Sequence, residues 1–479
     1  LGFKGMIVSD YFAITELHGK DDSVSHSVAE NKTEAAYLAA RAGVNIELPD
    51  RDCYPYLIDL VRSGRLDESL IDDLVRPLLH YKFKLGLFED PYVDPADLRT
   101  DQRLAQERSL ALRAAHETII LLKNEKDLLP LNAERVGTLA VIGPNADRQL
   151  LGGYSGIPRY YSTVLEGIKA KVGNAARVLY SEGCKITVNG SWNQDEIILP
   201  DSDENAKAIA EAAEVAGQAD VVILVLGGNE QTSREAWAKN HLGDRTSLDL
   251  PGQQLELVQA VLQKGKPVVV LLFNGRPNSI TSIEKSISAV LECWYLGQET
   301  GDAVADVLFG DYNPGGKLPV TIPRSVGHIP CFYNHKPSAR RGYVFDDISP
   351  LYPFGYGLSY TTFSFSNVRL EKSTIARNES TRVLAEVKNT GKRAGTEVVQ
   401  MYIRDCHSSV TRPVKELRGF SKVELAAGES RRISFEITPE HLAFTALDMQ
   451  HKVEPGEFEI MVGSSSRDED LTKVRLVVQ

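Results

Sequence analysis

Asp10 closes a short apolar run, Met6-Ile7-Val8, after the polar Ser9. An apolar run bounded in this way reads as a strand buried on both faces, as in a parallel sheet wrapped by helices. Asp10 then sits at the carboxyl end of that strand, where βα folds gather their reactive groups. A carboxylate there can serve as nucleophile, general base, metal ligand or only helix cap. A second group of carboxylates, Glu230, Glu235, Asp244 and Asp249, lies in GGNEQTSREAWAKNHLGDRTSLDLPG. This stretch leaves the apolar run Val221–Leu226 and lasts from Gly227 to Gly252. A loop of that length in a compact α/β domain is either functional or disordered. Trp237, Leu242 and Leu248 are residues to bury and argue against disorder. The loop also leaves the carboxyl end of a strand, the side on which open α/β sheets place ligand groups.

Other chemistries find no support. His18, His241 and the remaining histidines show no ligand spacing, so no metal is assigned. Gly227-Gly228 and the glycine-rich residues 152–156 lack the fingerprint of a phosphate or dinucleotide loop, and no cofactor is called for. The five cysteines (53, 184, 293, 331 and 406) are scattered and never form a CxxC pair, which predicts free or buried thiols. A net charge of −11 argues against a nucleic-acid or anionic-membrane partner, and a neutral substrate is compatible with it. No apolar run approaches the roughly eighteen residues needed to span a bilayer.

The elements that must hold these residues follow from periodicity. A chain of 479 residues fits two to four domains, and 42% hydrophobic with 25% charged residues is ordinary globular composition. Ala35, Ala36, Ala39 and Ala40 predict a helix over 33–42 that packs tightly and stops at Gly43. Residues 44–49 read as another short buried strand. Asp67 caps a helix that buries Leu70, Leu74, Leu78 and Leu79, with a kink expected at Pro77 and a stop at Gly86. Two βα units cannot close an eight-stranded barrel, because their edges would be unpaired. Residues 91–115 have the composition of a linker. Beyond it, β runs at Thr138–Ile142, Val221–Leu226, Val268–Phe273 and Ile287–Cys293 alternate with helices at Asn205–Gly217, Gln253–Gly265 and Thr300–Leu308. That alternation predicts a mostly parallel sheet with helices on both faces. From Phe363 onward only strands and turns remain, including Val383–Lys388, Glu397–Ile403, Arg431–Ile437 and Phe458–Val462. Their spacing predicts an antiparallel sandwich.

The string GFKGMIVSDY, followed by AGVNIELP, resembles the nucleophile segment of glycoside hydrolase family 3. The resemblance continues in order through ETIILLKNEKDLLPL, VIGPNAD, GGKLPVTIPRS, YPFGYGLSYTTF and PVKELRGF. It implies the end of a (β/α)8 barrel over 1–90, a linker over 91–116, and an α/β sandwich domain over 117–335. A second linker over 336–362 and a fibronectin type III-like domain over 363–479 complete the expected order. The earlier barrel strands, with the family's Lys-His motif and most sugar-gripping groups, are absent from this sequence. The chain therefore reads as the downstream part of a longer protein, in need of an N-terminal barrel segment from the same protein or a partner chain. Its start at Leu1, without a signal pattern, says nothing about secretion; a periplasmic or extracellular setting accords with the family.

The implied activity is that of a retaining exo-β-glycosidase, which removes terminal β-D-glucosyl residues from oligosaccharides without metal or cofactor. Such an enzyme holds two carboxyl groups roughly 5–5.5 Å apart, one as nucleophile and the other as acid then base. The resemblance assigns Asp10 as nucleophile and Glu235, in Ser233-Arg234-Glu235-Ala236-Trp237, as acid/base ahead of Glu230. It places the site between the first two domains. Tyr11 matches a position whose aromatic ring lines the sugar site, while a Tyr packed at the barrel rim is the plain alternative. Asp244-Arg245 reads as a structural ion pair, and GGYSG at 152–156 as a loop bordering the site. A β-xylosidase of the same family is the nearest alternative activity, and a non-catalytic sugar-binding or scaffolding role applies if no upstream barrel exists. The family's N-acetylglucosaminidases usually draw their acid/base from the barrel, so Glu235 speaks against them. The expected partner is a β-linked oligosaccharide or glycoside, and a homodimer is compatible.

Overall fold

The computed structural model describes residues 3–19, 25–95, 101–236 and 240–479. They gather into two compact units, Leu1–Leu104 with Ala236–His241, and Ala105–Glu235 with Leu242–Gln479.

In the first unit, β1 (Val8–Tyr11) and β2 (Ile46–Leu48) form a two-stranded parallel sheet in which Val8 pairs with Ile46 and Tyr11 with Leu48. The crossover between them carries α1 (Lys32–Ala42). Asn31 caps this helix by accepting the Glu34 N–H, and Gly43 ends it at φ 89°, where a side chain would be strained. Ala35, Ala36 and Ala39 bury against Ile14 and Cys53. Two helices follow, α2 (Leu57–Arg62) and α3 (Glu68–Lys84). Asp67 caps α3 by accepting the Ser69 N–H at 2.9 Å, and the helix runs on through Pro77 to Lys84.

Two expectations about burial fail here. Ile7 and Val8 are 43% and 45% exposed, so the first strand is not buried on both faces. Its one strand partner among the described residues is β2. Along α3 only Leu74 is buried and Leu79 is exposed, so the apolar stripe is narrower than its leucine spacing suggests.

The helix α4 (Asp101–Thr118) occupies much of the stretch read as linker; from Ala105 onward it belongs to the second unit, where it leads into a six-stranded sheet. Its strands are β3 (Ile120–Asn124), β4 (Thr138–Ile142), β5 (Arg177–Ser181), β6 (Val221–Gly227), β7 (Val268–Phe273) and β8 (Ala289–Glu292). They lie in the order β3-β8-β7-β6-β4-β5, all parallel except β3. Alternate residues of the interior strands serve two separate cores. Ile223, Val225, Val269 and Leu271 pack toward α5 (Val164–Val172) and α9 (Thr300–Phe309). Val222, Leu224, Val270 and Leu272 pack toward α6 (Ser202–Gly217) and α8 (Gln254–Leu262), which lies beyond the single turn α7 (Glu230–Ser233). Each such side chain buried is worth roughly 1.5–3 kcal/mol, which is why these runs carry no polar residue. The strand order reverses at β4, with β5 on one side and β6 on the other. Loops leaving the carboxyl ends of β4 and β6 therefore diverge and open a crevice.

The rest of this unit is all β. One sheet holds β9 (Phe363–Leu370), β11 (Thr381–Asn389) and β14 (Ser430–Ile437). The other runs β10 (Thr374–Ile375), β18 (Leu471–Val478), β17 (Gly456–Gly463), β12 (Gly395–Asp405), β13 (Glu416–Leu425). A small hairpin joins β15 (Phe444–Thr445) to β16 (His451–Lys452). Val387, Val399, Ile460 and Leu476 fill the space between the two large sheets. This sandwich is fastened to the α/β part by buried polar contacts. Lys317 pairs with Glu397 at 2.8 Å and donates to the Gly357 carbonyl, while Gln400 donates to the Gly355 carbonyl.

Candidate active site

The first candidate carboxylate is held at a strongly tied strand end. Asn45 accepts the Ile7 N–H at 2.8 Å and donates to the Leu74 carbonyl at 2.7 Å, linking β1 to α3. Ser9 accepts the Leu48 N–H at 2.9 Å, and Glu47, nearly buried, accepts the N–H groups of Cys53 and Tyr54, each at 2.8 Å. Asp10 is exposed, and its carboxylate accepts the Tyr11 N–H at 2.7 Å. The next helical turn, Thr15–Leu17, has Ile14 at its cap position, so Asp10 is not a helix cap. The chain turns away through Phe12 at φ 60°, a left-handed conformation that costs a non-glycine residue energy and is common beside functional groups. The Tyr11 ring is exposed.

The second group of carboxylates leaves β6 in the second unit. Gly227 takes φ 126°, and a Cβ there would stand 1.9 Å from the Phe273 carbonyl oxygen, so only glycine fits. The Gln254 side chain continues the strand ladder, accepting the Gly227 N–H at 2.9 Å and donating to its carbonyl at 2.8 Å. Asn145, just beyond β4, donates to the Gly228 carbonyl at 3.0 Å across the strand-order reversal. Asn229 then caps α7, accepting the Thr232 N–H at 3.1 Å and donating to Thr187 Oγ1 at 2.8 Å. Glu230 is half-buried on that turn, near Tyr161 and Tyr295. Burial, reinforced by the Glu230 charge, pushes the Tyr295 hydroxyl up to about 12, and its oxygen lies 2.9 Å from Ser233 Oγ.

Arg234 anchors the loop beyond that turn. It is 2% exposed, and donates to the carbonyls of Leu242 (2.9 Å), Trp192 (3.0 Å), Gln194 (2.7 Å) and Asp195 (2.6 Å). Burial lowers its pKa, yet the guanidinium stays charged and strengthens each of these bonds. Glu235 is exposed directly beyond it. Asp10 and Tyr11 belong to the first unit, Glu230 and Glu235 to the second.

The expected Asp244–Arg245 pair does not form. Asp244 pairs with Arg276 at 3.7 Å, and Arg245 donates to the Asp249 carbonyl. Leu242 is 54% exposed and does not anchor the loop, and Trp237 lies outside the described residues. In the GGYSG segment Tyr154 is exposed at φ 64° with its ring 5.2 Å from that of Trp192, whose carbonyl Arg234 holds. Arg234, Gln254 and Asn145 escaped the sequence reading; only Asn229 had a signal, the N-x-x-T spacing of a capping box. A further acid, Glu292 at the end of β8, is fully buried with no cation paired to it among the described residues. Burial pushes it up to about 8, against hydrogen bonds from the Trp294 N–H at 3.1 Å and Asn274 at 3.0 Å.

The sequence matches the glycosyl hydrolase family 3 C-terminal domain over residues 119–360, half of the chain. The chain belongs to glycosyl hydrolase family 3. It also matches the N-terminal domain of that family over 1–80 and a fibronectin type III-like domain over 397–466. Curated members of family 3 similar to it include a β-xylosidase of Formosa agariphila, 42% identical across 100% of this chain and 65% of that protein. A periplasmic β-glucosidase of Salmonella typhimurium is 40% identical across 97% of this chain and 62% of that one. Among solved structures, a β-glucosidase from Erythrobacter marinus superposes with a TM-score of 0.94 at 42% identity, over 100% of this chain and 64% of the other. A β-glucosidase from Listeria innocua in complex with glucose gives 0.85 at 33% identity, over 99% and 63%. This family 3 chain thus spans less than two thirds of the length of these relatives.

Proposed function

We propose that this chain is the downstream part of a retaining exo-β-glycosidase acting on terminal β-D-glucosyl residues, with residues 1–90 as closing units of its barrel. Asp10 is the nucleophile: its oxygen attacks the anomeric carbon, the glycosidic bond breaks, and a glycosyl ester forms. Glu235 protonates the departing oxygen, then takes a proton from the water that displaces Asp10. Tyr11 lines the sugar. The observation that carries this reading is the pair of environments within a family 3 chain. Asp10 is an exposed strand-end carboxylate free of capping duty, and Glu235 is an exposed carboxylate set beyond a buried anchor. A β-xylosidase is the second reading, supported by the relative of that name.

Labelling with a dinitrophenyl 2-deoxy-2-fluoro-β-D-glucoside, followed by digestion and mass spectrometry, tests the assignment. The fluorosugar should appear on the peptide containing Asp10, and Asp10→Asn should neither label nor turn over an aryl β-glucoside. A label on any other carboxylate removes Asp10 from its role. Faster labelling by the matching fluoroxyloside selects the xylosidase reading.

A further inference from the structure

The segment over residues 328–348, with Pro413 of the sandwich, lines a cavity of about 830 Å³, within the ~300–1,000 Å³ usual for small-ligand sites. Two aromatic rings face it, Phe332 at 64% exposure and Tyr343 at 50%. Tyr343 is held in place: its hydroxyl donates to the Gly327 carbonyl at 3.1 Å and its ring lies 4.6 Å from that of His328. Lys336, Arg340 and Arg341 line the same space, and among the described residues no carboxylate does. In a chain of net charge −11, this concave surface runs against the overall balance, with cations and no acid in its lining.

The charges there are not neutralised by ion pairs among the described residues. Lys336 donates to the Thr411 carbonyl at 2.6 Å, and Arg340 to the Ile348 carbonyl at 2.9 Å and to the Cys331 sulfur. Those acceptors are neutral, so the positive charge remains. Of the nearby acids, Asp346 lies against the cavity wall, 3.5 Å from His328, and Asp347 is 3.9 Å from Arg324; the three cations of the lining outnumber them. Asn334 adds an amide to the wall.

We infer that this cavity is a second saccharide site, selective for a pyranose bearing a carboxylate, that is, a uronic acid. Flat rings take the C–H face of a pyranose, an amide takes its hydroxyls, and the Arg341 guanidinium with Lys336 takes the carboxylate. That the ligand is a sugar rests on the glycosidase reading above; that it is an anion rests on the charge of the cavity alone.

Ligand-observed NMR titrations with methyl β-D-glucuronide, methyl β-D-glucoside and benzoate test this without using turnover. Phe332 and Arg341 are exposed, so Phe332→Ala and Arg341→Ala should leave the melting temperature unchanged. Each should weaken glucuronide binding about tenfold or more, the loss expected for a charge-assisted bond or a ring contact. Neutral glucoside should show no binding that these substitutions alter. Unchanged glucuronide affinity in both variants overturns the site. Benzoate binding as tightly as glucuronide overturns the sugar assignment. Fluorosugar labelling at a residue other than Asp10, with glucuronide binding intact, defeats the catalytic assignment and leaves this site standing.

Discussion

Arg234 and Glu235 are neighbours in sequence and opposites in environment: the guanidinium is buried among four carbonyl oxygens, and the next carboxylate is exposed. The backbone between them therefore leaves the protein interior at a fixed point. Arg234→Ala would take a donor from each of those carbonyls, leaving Gln194 with only the Gln231 amide at 3.4 Å, at roughly 1–3 kcal/mol for each oxygen left unpaired that water cannot reach. We expect a lower melting temperature and, because the effect acts through Glu235, a larger loss of kcat on cellobiose than on a dinitrophenyl glucoside. Equal losses on the two substrates would make Arg234 purely structural.

The acid/base assignment has its own test. A good leaving group departs without a proton, so Glu235→Ala should cripple cellobiose cleavage and spare glycosyl-enzyme formation from a dinitrophenyl glycoside. Azide should then speed turnover and yield a β-glycosyl azide, since attack on the covalent intermediate inverts the anomeric centre a second time. The same measurement on Glu230→Ala is the control. Rescue there, with Glu235→Ala unresponsive, would transfer the role to Glu230.

Glu292 makes stability depend on pH in an unusual direction. Its pKa is about 8 when folded, above the ordinary carboxyl value of 4.5. Between those limits the folded state binds the extra proton, so stability falls as pH rises through the window, by an amount on the order of a few kcal/mol. Glu292→Gln removes the titration and keeps an amide near Asn274. The variant should match the wild type in thermal stability near pH 5 and exceed it near pH 8. Parallel melting-temperature profiles for the two proteins would contradict this.

Lys317 and Glu397 form a buried pair, with side chains 12% and 7% exposed. Removing one charge strands the other, so Lys317→Met should destabilise by roughly 3–5 kcal/mol in chemical denaturation. The double variant Lys317→Met with Glu397→Leu should recover most of that loss. A single variant as stable as the wild type would show the pair to be dispensable.

The sequence disclosed elements whose causes are local. The apolar runs of β6 and β7, the alternating strands of the sandwich, the cap at Asp67 and the stop at Gly43 all follow from neighbouring residues. It misjudged burial along β1 and α3, because burial depends on what packs against a strand or helix. It missed β5, whose half-exposed Arg177–Ser181 lacks the apolar signature of its neighbours. Within the candidate site, Asp10 and the long loop were legible. Arg234 was not, because an arginine in a polar loop reads as solvated, and only the fold brings distant carbonyl groups around it. The Asp244–Arg245 reading failed for a related reason: adjacency in sequence outranked the unseen approach of Arg276.

The sheet order carries a consequence for how this protein is made. Strand β3 leaves the ribosome first of the six, yet its partner in the sheet is β8, the last. Ile120, Leu121 and Leu122 are all buried once paired. Until β8 emerges they have no ladder to join, although β4 to β7 can already assemble. Manufacture and assembly thus run in opposite directions at this edge. The wait is a slow, long-range closure, and it leaves a sticky β-prone segment in need of shelter for most of the time the domain takes to be translated.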